Sequence, residues 1–279
     1  MTKSDLVLNP FTSDQRARFA LAYESTAAAY ALALSEAAGG LTIVENDFLL
    51  ALFPYPHSIN GVFKPRFSLD NCDKRIEVIL DITRQQRQKI RFRLGPAPEP
   101  ADLVERLLKY GFRKSATAKY MALPIEAGSS IMESPETRKE LAGLRIFPIN
   151  DYKILYQTNH SVLGVINSPK KRCLLRAYQK LAEEKPRRHW IFVAEMEGQL
   201  VATVGLFIYE GTIAGFDLTV LRDYRRKGIG TAILRKLGRF AWEQGASLAV
   251  LASSIQGTHF YPQLGITHIG GYPYYVYEP

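Results

Sequence analysis

The sequence predicts a mixed α/β fold, an α+β arrangement of helices on mixed sheets, in two tandem units. Three observations predict it. A chain of 279 residues exceeds what one hydrophobic core usually supports. Helix and strand patterns recur in the same order in the two halves, an internal repeat at the level of fold. The stretch Gly215 to Gly245 reads as a strand end, a basic glycine-punctuated turn and an amphipathic helix, a unit of α/β architecture.

Composition narrows the class. Apolar residues make up 47% and charged residues 23%, as in ordinary globular proteins. The net charge of +9 reads either as a solvated basic surface or as attraction to an anion, nucleic acid or a polyphosphate cofactor. No aromatic-plus-basic RNA motif accompanies the basic runs, so nucleic acid is not the expected partner. Lys170-Lys171-Arg172 and Lys185 to Arg188 read as exposed helix ends and loops. The two cysteines, Cys72 and Cys173, fall one in each half. That argues against a disulfide scaffold and for a reducing, cytoplasmic compartment. The N-terminus MTKSDLVLNPF lacks the apolar core of a signal peptide, and no run of eighteen apolar residues predicts a membrane span. His57, His160, His189, His259 and His268 lack metal-ligand spacing, so no metal is expected. There is no G-x-S-x-G elbow for a nucleophilic serine.

The first half, residues 1–125, opens with a helix capped by Thr12 or Ser13 and stopped by Gly39-Gly40. Leu41 to Val44 and Phe48 to Phe53 read as strands about a turn at Glu45-Asn46-Asp47. Gly61 to Phe67 is a third strand. Asp70 to Gln88 has Ile76, Ile79, Leu80 and Thr83 in helical register. Lys89 to Leu94 alternates as a strand, Pro100 to Tyr110 is a short helix, and Ala116 to Ile125 closes as a strand. Residues 126–141 are polar, with Gly128-Ser129-Ser130 and Ser134-Pro135, and read as a linker.

The second unit, 142–279, begins with a strand at Leu144 to Ile149 and a helix from Asp151 to Leu163. A second helix spans Pro169 to Glu184. His189 to Glu195 and Leu200 to Tyr209 form a hairpin about Met196-Glu197-Gly198-Gln199. Thr212 to Leu221 feeds the basic turn, and Ile229 to Glu243 follows as a helix with Ile229, Ile233 and Leu237 on one face. Ser247 to Ala252 is a strand, Thr258 to Gln263 a short helix, and His268 to Tyr277 one or two strands.

The turn Arg225-Arg226-Lys227-Gly228-Ile229-Gly230 has the chemistry of an anion cradle. The first N–H groups of a helix have no internal partner and sit at the positive end of its dipole. Gly228 and Gly230 carry no Cβ to hold a phosphate off the backbone, and Arg222, Arg225, Arg226 and Lys227 add charge. A P-loop and a dinucleotide fold are excluded, since neither G-x-x-x-x-G-K-[S/T] nor G-x-G-x-x-G is present.

Strand, R-x-x-G-x-G, amphipathic helix, strand and then Tyr261-Pro262-Gln263-Leu264-Gly265-Ile266 resembles the acetyl-CoA-binding core of the GNAT N-acetyltransferase superfamily. The resemblance covers about Leu144 to Pro279. It implies the GNAT acyl-CoA N-acyltransferase fold, acetyl-CoA as cosubstrate and an amine as acceptor, either a small molecule or a protein. It also implies direct attack without a covalent enzyme intermediate. Arg225, Arg226, Lys227, Gly228, Ile229, Gly230 and Thr231 would grip the pyrophosphate, mostly through main-chain N–H. Leu218 and Val220, on either side of Thr219, would pair with the pantetheine arm, the Val220 N–H facing the thioester oxygen. Tyr261 would protonate the departing thiolate, its phenol near ~10 against a thiol near ~8.5. The base is poorly marked. The strand Leu248 to Leu251 lacks the glutamate some relatives carry, and Ser254 stands where many have Asn. Asp217 is the candidate, with His259 second. The first half looks like a degenerate copy without CoA: Ser68-Leu69-Asp70-Asn71-Cys72 has no glycine pair, and Asp70 would repel pyrophosphate. A different function would be a CoA-binding module that recruits a protein partner without turnover.

Overall fold

The computed structural model describes residues 9–126, 131, 141–151, 154–155, 168–255 and 257–279. Helix α1 (Ser13–Ala37) opens with a capping box. Thr12 Oγ1 accepts the Gln15 N–H at 3.2 Å, and Gln15 Oε1 accepts the Thr12 N–H at 2.9 Å. Three strands follow, β1 (Leu41–Val44), β2 (Leu49–Leu52) and β3 (Gly61–Phe63). The third stops four residues short of the expected end. Lys64 takes a φ of 52°, and Pro65 has no N–H to give a ladder. Next come α2 (Cys72–Gln86), β4 (Ile90–Arg93), α3 (Leu103–Lys109) and β5 (Arg113–Pro124).

The second half contributes β6 (Arg145–Ile149), α4 (Pro169–Glu183), β7 (His189–Met196), β8 (Gln199–Tyr209) and β9 (Thr212–Val220). It continues with α5 (Ile229–Glu243), β10 (Leu248–Ser253), α6 (Gly257–Phe260) and one closing strand, β11 (Thr267–Tyr277). Two hairpin turns, Glu197-Gly198 and Glu210-Gly211, place both central residues at positive φ, the pairing that matches strand twist. The expected helix after Asp151 and most of the expected linker lie outside the described residues.

The eleven strands among the described residues join one sheet, in the order β1-β2-β3-β4-β11-β5-β10-β9-β8-β7-β6. The middle of that order carries an exchange. Strand β5, from the first half, lies between β10 and β11 of the second: Lys119 to Pro124 pair antiparallel with Ser253 to Leu248. Strand β11, from the end of the chain, pairs Tyr274 to Tyr277 with Arg93 to Ile90. Backbone hydrogen bonds therefore tie the two halves together at the centre.

Alternation along the strands sends side chains to two cores. On β7, Ile191 and Val193 pack on the α1 and α4 side, while Trp190, Phe192 and Ala194 pack under α5. On β2, Ala51 joins the α1 side and Leu50 and Leu52 pack under α2 and α3. Helix α1 lies across strands of both halves. Its Tyr23, Tyr30, Ala31 and Leu34 are almost fully buried.

Candidate active site

The site is built where β9 and β10 part. They pair in parallel over three positions only, Thr212 to Ala214 against Leu248 to Val250. On its other edge β9 carries a bulge. Thr203 faces Thr219 and Gly205 faces Phe216, so Val204 alone stands opposite Asp217 and Leu218. Asp217 takes the left-handed φ of 54° that this extra residue demands. The bulge turns β9 away, and the backbone from Gly215 to Val220 presents a free edge to the wedge.

A cavity of about 350 Å³ opens in that wedge. Asp217, Leu218 and Thr219 of β9, Ala252 of β10, Ser254 and Tyr261 line its mouth. Two of the sequence-expected residues, Asp217 and Tyr261, thus share one cavity although 44 positions separate them in the chain. The Tyr261 ring lies against the backbone of Gly257, where a Cβ would come within 2.6 Å of Cε2. Burial pushes the Tyr261 phenol up, so it holds its proton at neutral pH. Burial also raises the Asp217 carboxyl, which is walled by protein yet open to solvent through the cleft. Ser254 Oγ accepts the Gly257 N–H at 3.2 Å, starting α6. His259 is exposed and does not line the cavity.

Past the mouth lies the basic turn. Arg226 takes φ 65° and Gly228 φ 86°, so the chain folds back to launch α5, and no side chain caps that helix. Arg222, Arg225, Arg226 and Lys227 are exposed, and among the described residues none of them forms an ion pair. Arg225 Nε donates to the Val220 carbonyl at 2.9 Å, tying the turn to the strand end. The Lys227 ammonium sits 5.0 Å from the Tyr224 ring centre. Ile229 is buried in the core under α5, so only its backbone faces the turn. Thr231, half-buried, stands in the first helical turn. Val220 pairs with Ala202 and packs partly buried beneath α5. A Cβ on Gly230 would meet the Phe260 ring at 3.1 Å, so its smallness serves the packing of Phe260 over the helix start.

The opposite side of Asp217 holds residues that sequence reasoning missed. Burial raises the phenol of Tyr23 on α1, the neighbouring Tyr274 of β11 adds to the rise, and the Asp217 carboxylate adds least. The Tyr120 ring of β5 lies tilted against two others, its centre 4.1 Å from that of Tyr23 and 4.7 Å from that of Tyr272. The Arg93 guanidinium lies 4.8 Å from the Tyr274 ring centre. The signal available was the period of two in Tyr272 and Tyr274, which puts both rings on one face of β11. Among the described residues no group of three or more His, Cys, Asp or Glu side chains is placed to hold a metal ion. No described helix is long and apolar enough to cross a membrane.

Residues 153–266 match the sequence profile described as the Acetyltransferase (GNAT) family. No curated protein sequence matches the chain. Solved structures share the fold over most of its length. A functionally unknown conserved protein from Staphylococcus epidermidis superposes with a TM-score of 0.60 at 19% identity, over 86% of this chain and 94% of that one. A GCN5-related N-acetyltransferase from Kribbella flavida gives 0.59 at 14% identity, over 90% and 95%. A tandem GNAT protein from the clavulanic acid biosynthesis pathway gives 0.60 at 13% identity, over 83% and 78%. The fold is that of GNAT acyltransferases, and the family implies acyl transfer from an acyl-CoA.

Proposed function

We propose that the protein moves an acyl group, acetyl being the simplest, from coenzyme A to a primary amine by direct attack. The observation that carries this reading is the shared wedge. One cavity mouth brings together a free strand edge, a protonated tyrosine and a carboxylate held above its ordinary range.

The chain's residues fit such a donor. The edge of β9 from Leu218 to Val220 that lies beyond the pairing with β10 can pair with the amides of a pantetheine arm, as a further strand would. The uncapped start of α5, with Arg225, Arg226 and Lys227, suits a diphosphate, with Gly228, Ile229, Gly230 and Thr231 giving main-chain N–H groups. In the transfer a C–N bond forms and a C–S bond breaks. Asp217, directly or through a water, accepts the proton that the attacking amine loses. Tyr261 gives its proton to the departing sulfur. Raising the Asp217 pKa brings the base nearer neutrality, where base catalysis is most effective.

The two halves are proposed as tandem units, 1–125 and 142–279, with 126–141 between them. The first half packs Tyr23, Tyr120 and Arg93 on the side of the wedge away from α5. The neighbour described as a tandem GNAT protein supports that division. The test is release of free thiol from acetyl-CoA across a panel of amines. Turnover lost in Tyr261→Phe supports the enzyme. CoA binding with no acceptor, and no effect of that variant, would leave a CoA-binding interaction module.

A further inference from the structure

Resting on the acyl-transfer reading, we propose that the donor's acyl group is a medium-length hydrocarbon chain of about eight carbons, and that the cavity under α5 is its binding site. The cavity does not end at the bulge. From Asp217 it continues on the α5 face of β9 past Gly215 to Ile213, the register partner of Ala249 on β10. Its roof is Leu237, Gly238 and Ala241 of α5. Ile131 lines a wall beside that roof, and a Cβ on Gly238 would lie 2.8 Å from the Ile131 Cγ2. Accessibility falls along the way. Ser254 at the mouth is exposed, whereas Ile213 is 4% and Ala241 1% exposed.

Two occupants could enter from the mouth, a pantetheine arm or an acyl chain. The floor decides between them. At Thr212 to Ala214 and Leu248 to Val250 the backbone groups are already paired in the sheet. Aliphatic side chains supply the rest of the inner lining. A pantetheine amide placed there would lose water without gaining a partner, a penalty of the order of a hydrogen bond or more. Hydrocarbon has no such requirement. Direction agrees. A chain coming from the basic turn follows β9 from its C-terminal end, meets the bulge, and points next at Gly215 and Ile213. Size agrees as well: with the thioester at the mouth, an acetyl methyl, with the bulk of a water, on the order of 30 Å³, would not reach the inner lining at Ile213 and Ala241.

Calorimetry of the full chain with CoA, acetyl-CoA and octanoyl-CoA tests this without an acceptor being known. Each buried methylene can add up to about fourfold in affinity. Octanoyl-CoA should therefore bind at least about tenfold more tightly than acetyl-CoA. Ala241→Leu, which fills the inner end, should erase that gain. If CoA binds and chain length brings no gain, the hydrocarbon site is refuted and acyl transfer stands. If CoA gives no heat at all, both fall. Should Ala241→Leu not fold, the chain-length series on the unmodified protein still decides.

Discussion

Asp217 occupies a backbone state that few residues accept. At φ 54° asparagine and aspartate are tolerated far better than alanine, so Asp217→Asn keeps the bulge while removing the base. It should lower kcat by about 10² to 10⁴. As a base Asp217 works ionised, so activity is lost as pH falls through its raised pKa. That acid limb lies above the ordinary aspartate value and should vanish from the pH profile of the Asn variant. Tyr261→Phe should cut kcat by at least about 10² while calorimetry finds CoA affinity little changed. Glu24 poses a stability question. It is 2% exposed on α1, its Oε2 lies 3.4 Å from Arg66 Nη2, and its Oε1 has no partner among the described residues. Burial raises its pKa against the opposing Arg66 charge. A carboxyl raised by folding binds more protons in the native state. Its contribution is full below the unfolded value and is lost as pH rises through the folded one. Glu24→Gln should flatten the fall in Tm as pH rises above the ordinary glutamate value, read by thermal melts; an unchanged slope would exclude Glu24 as its source.

At the scale of the element, the turn before α5 depends on Gly228. Its φ of 86° strains any residue with a Cβ, and most of all a β-branched one. Gly228→Val should cost about 1–2 kcal/mol of stability, seen as a lower Tm. It should also weaken CoA binding at least about tenfold, a loss of about 1.4 kcal/mol or more. Gly230→Leu acts by a different route, since its side chain would displace the Phe260 ring. Phe260 packs 5.3 Å from Tyr261, so this variant should disturb Tyr261 before it disturbs the anion site. A fall in kcat larger than the change in CoA affinity would separate the two effects.

Across the whole molecule, the exchanged strands make the halves interdependent. Strand β5 is bonded on both edges by β10 and β11, and β11 is bonded in turn by β4. Cutting the chain within 126–141 and expressing each part alone would expose interior strand edges, which invite aggregation. Each part alone should be insoluble, and co-expression should recover a soluble complex. A separately folded, monomeric second half, seen by circular dichroism and gel filtration, would contradict this dependence.

Much of this was legible in residue order because it rests on local physics. The capped start of the first helix at Thr12 or Ser13, the helix Ile229 to Glu243 and the hairpin at Glu197-Gly198 follow from short-range spacing alone. The basic glycine turn and Tyr261 were legible as motifs for the same reason. The rest depends on contacts between distant segments. No periodicity in Arg113 to Pro124 says that it will lie between β10 and β11, because strand pairing across more than a hundred residues leaves no local trace. Nor could spacing reveal that Gly230 yields its space to Phe260, or that Tyr23, Tyr120 and Tyr274 meet beside Asp217. The sequence by itself determined most of the described elements and the position of the basic glycine turn. Only the tertiary structure decided where β9 and β10 separate, and so how deep a cavity opens between them, because that depends on a bulge set by the facing strand.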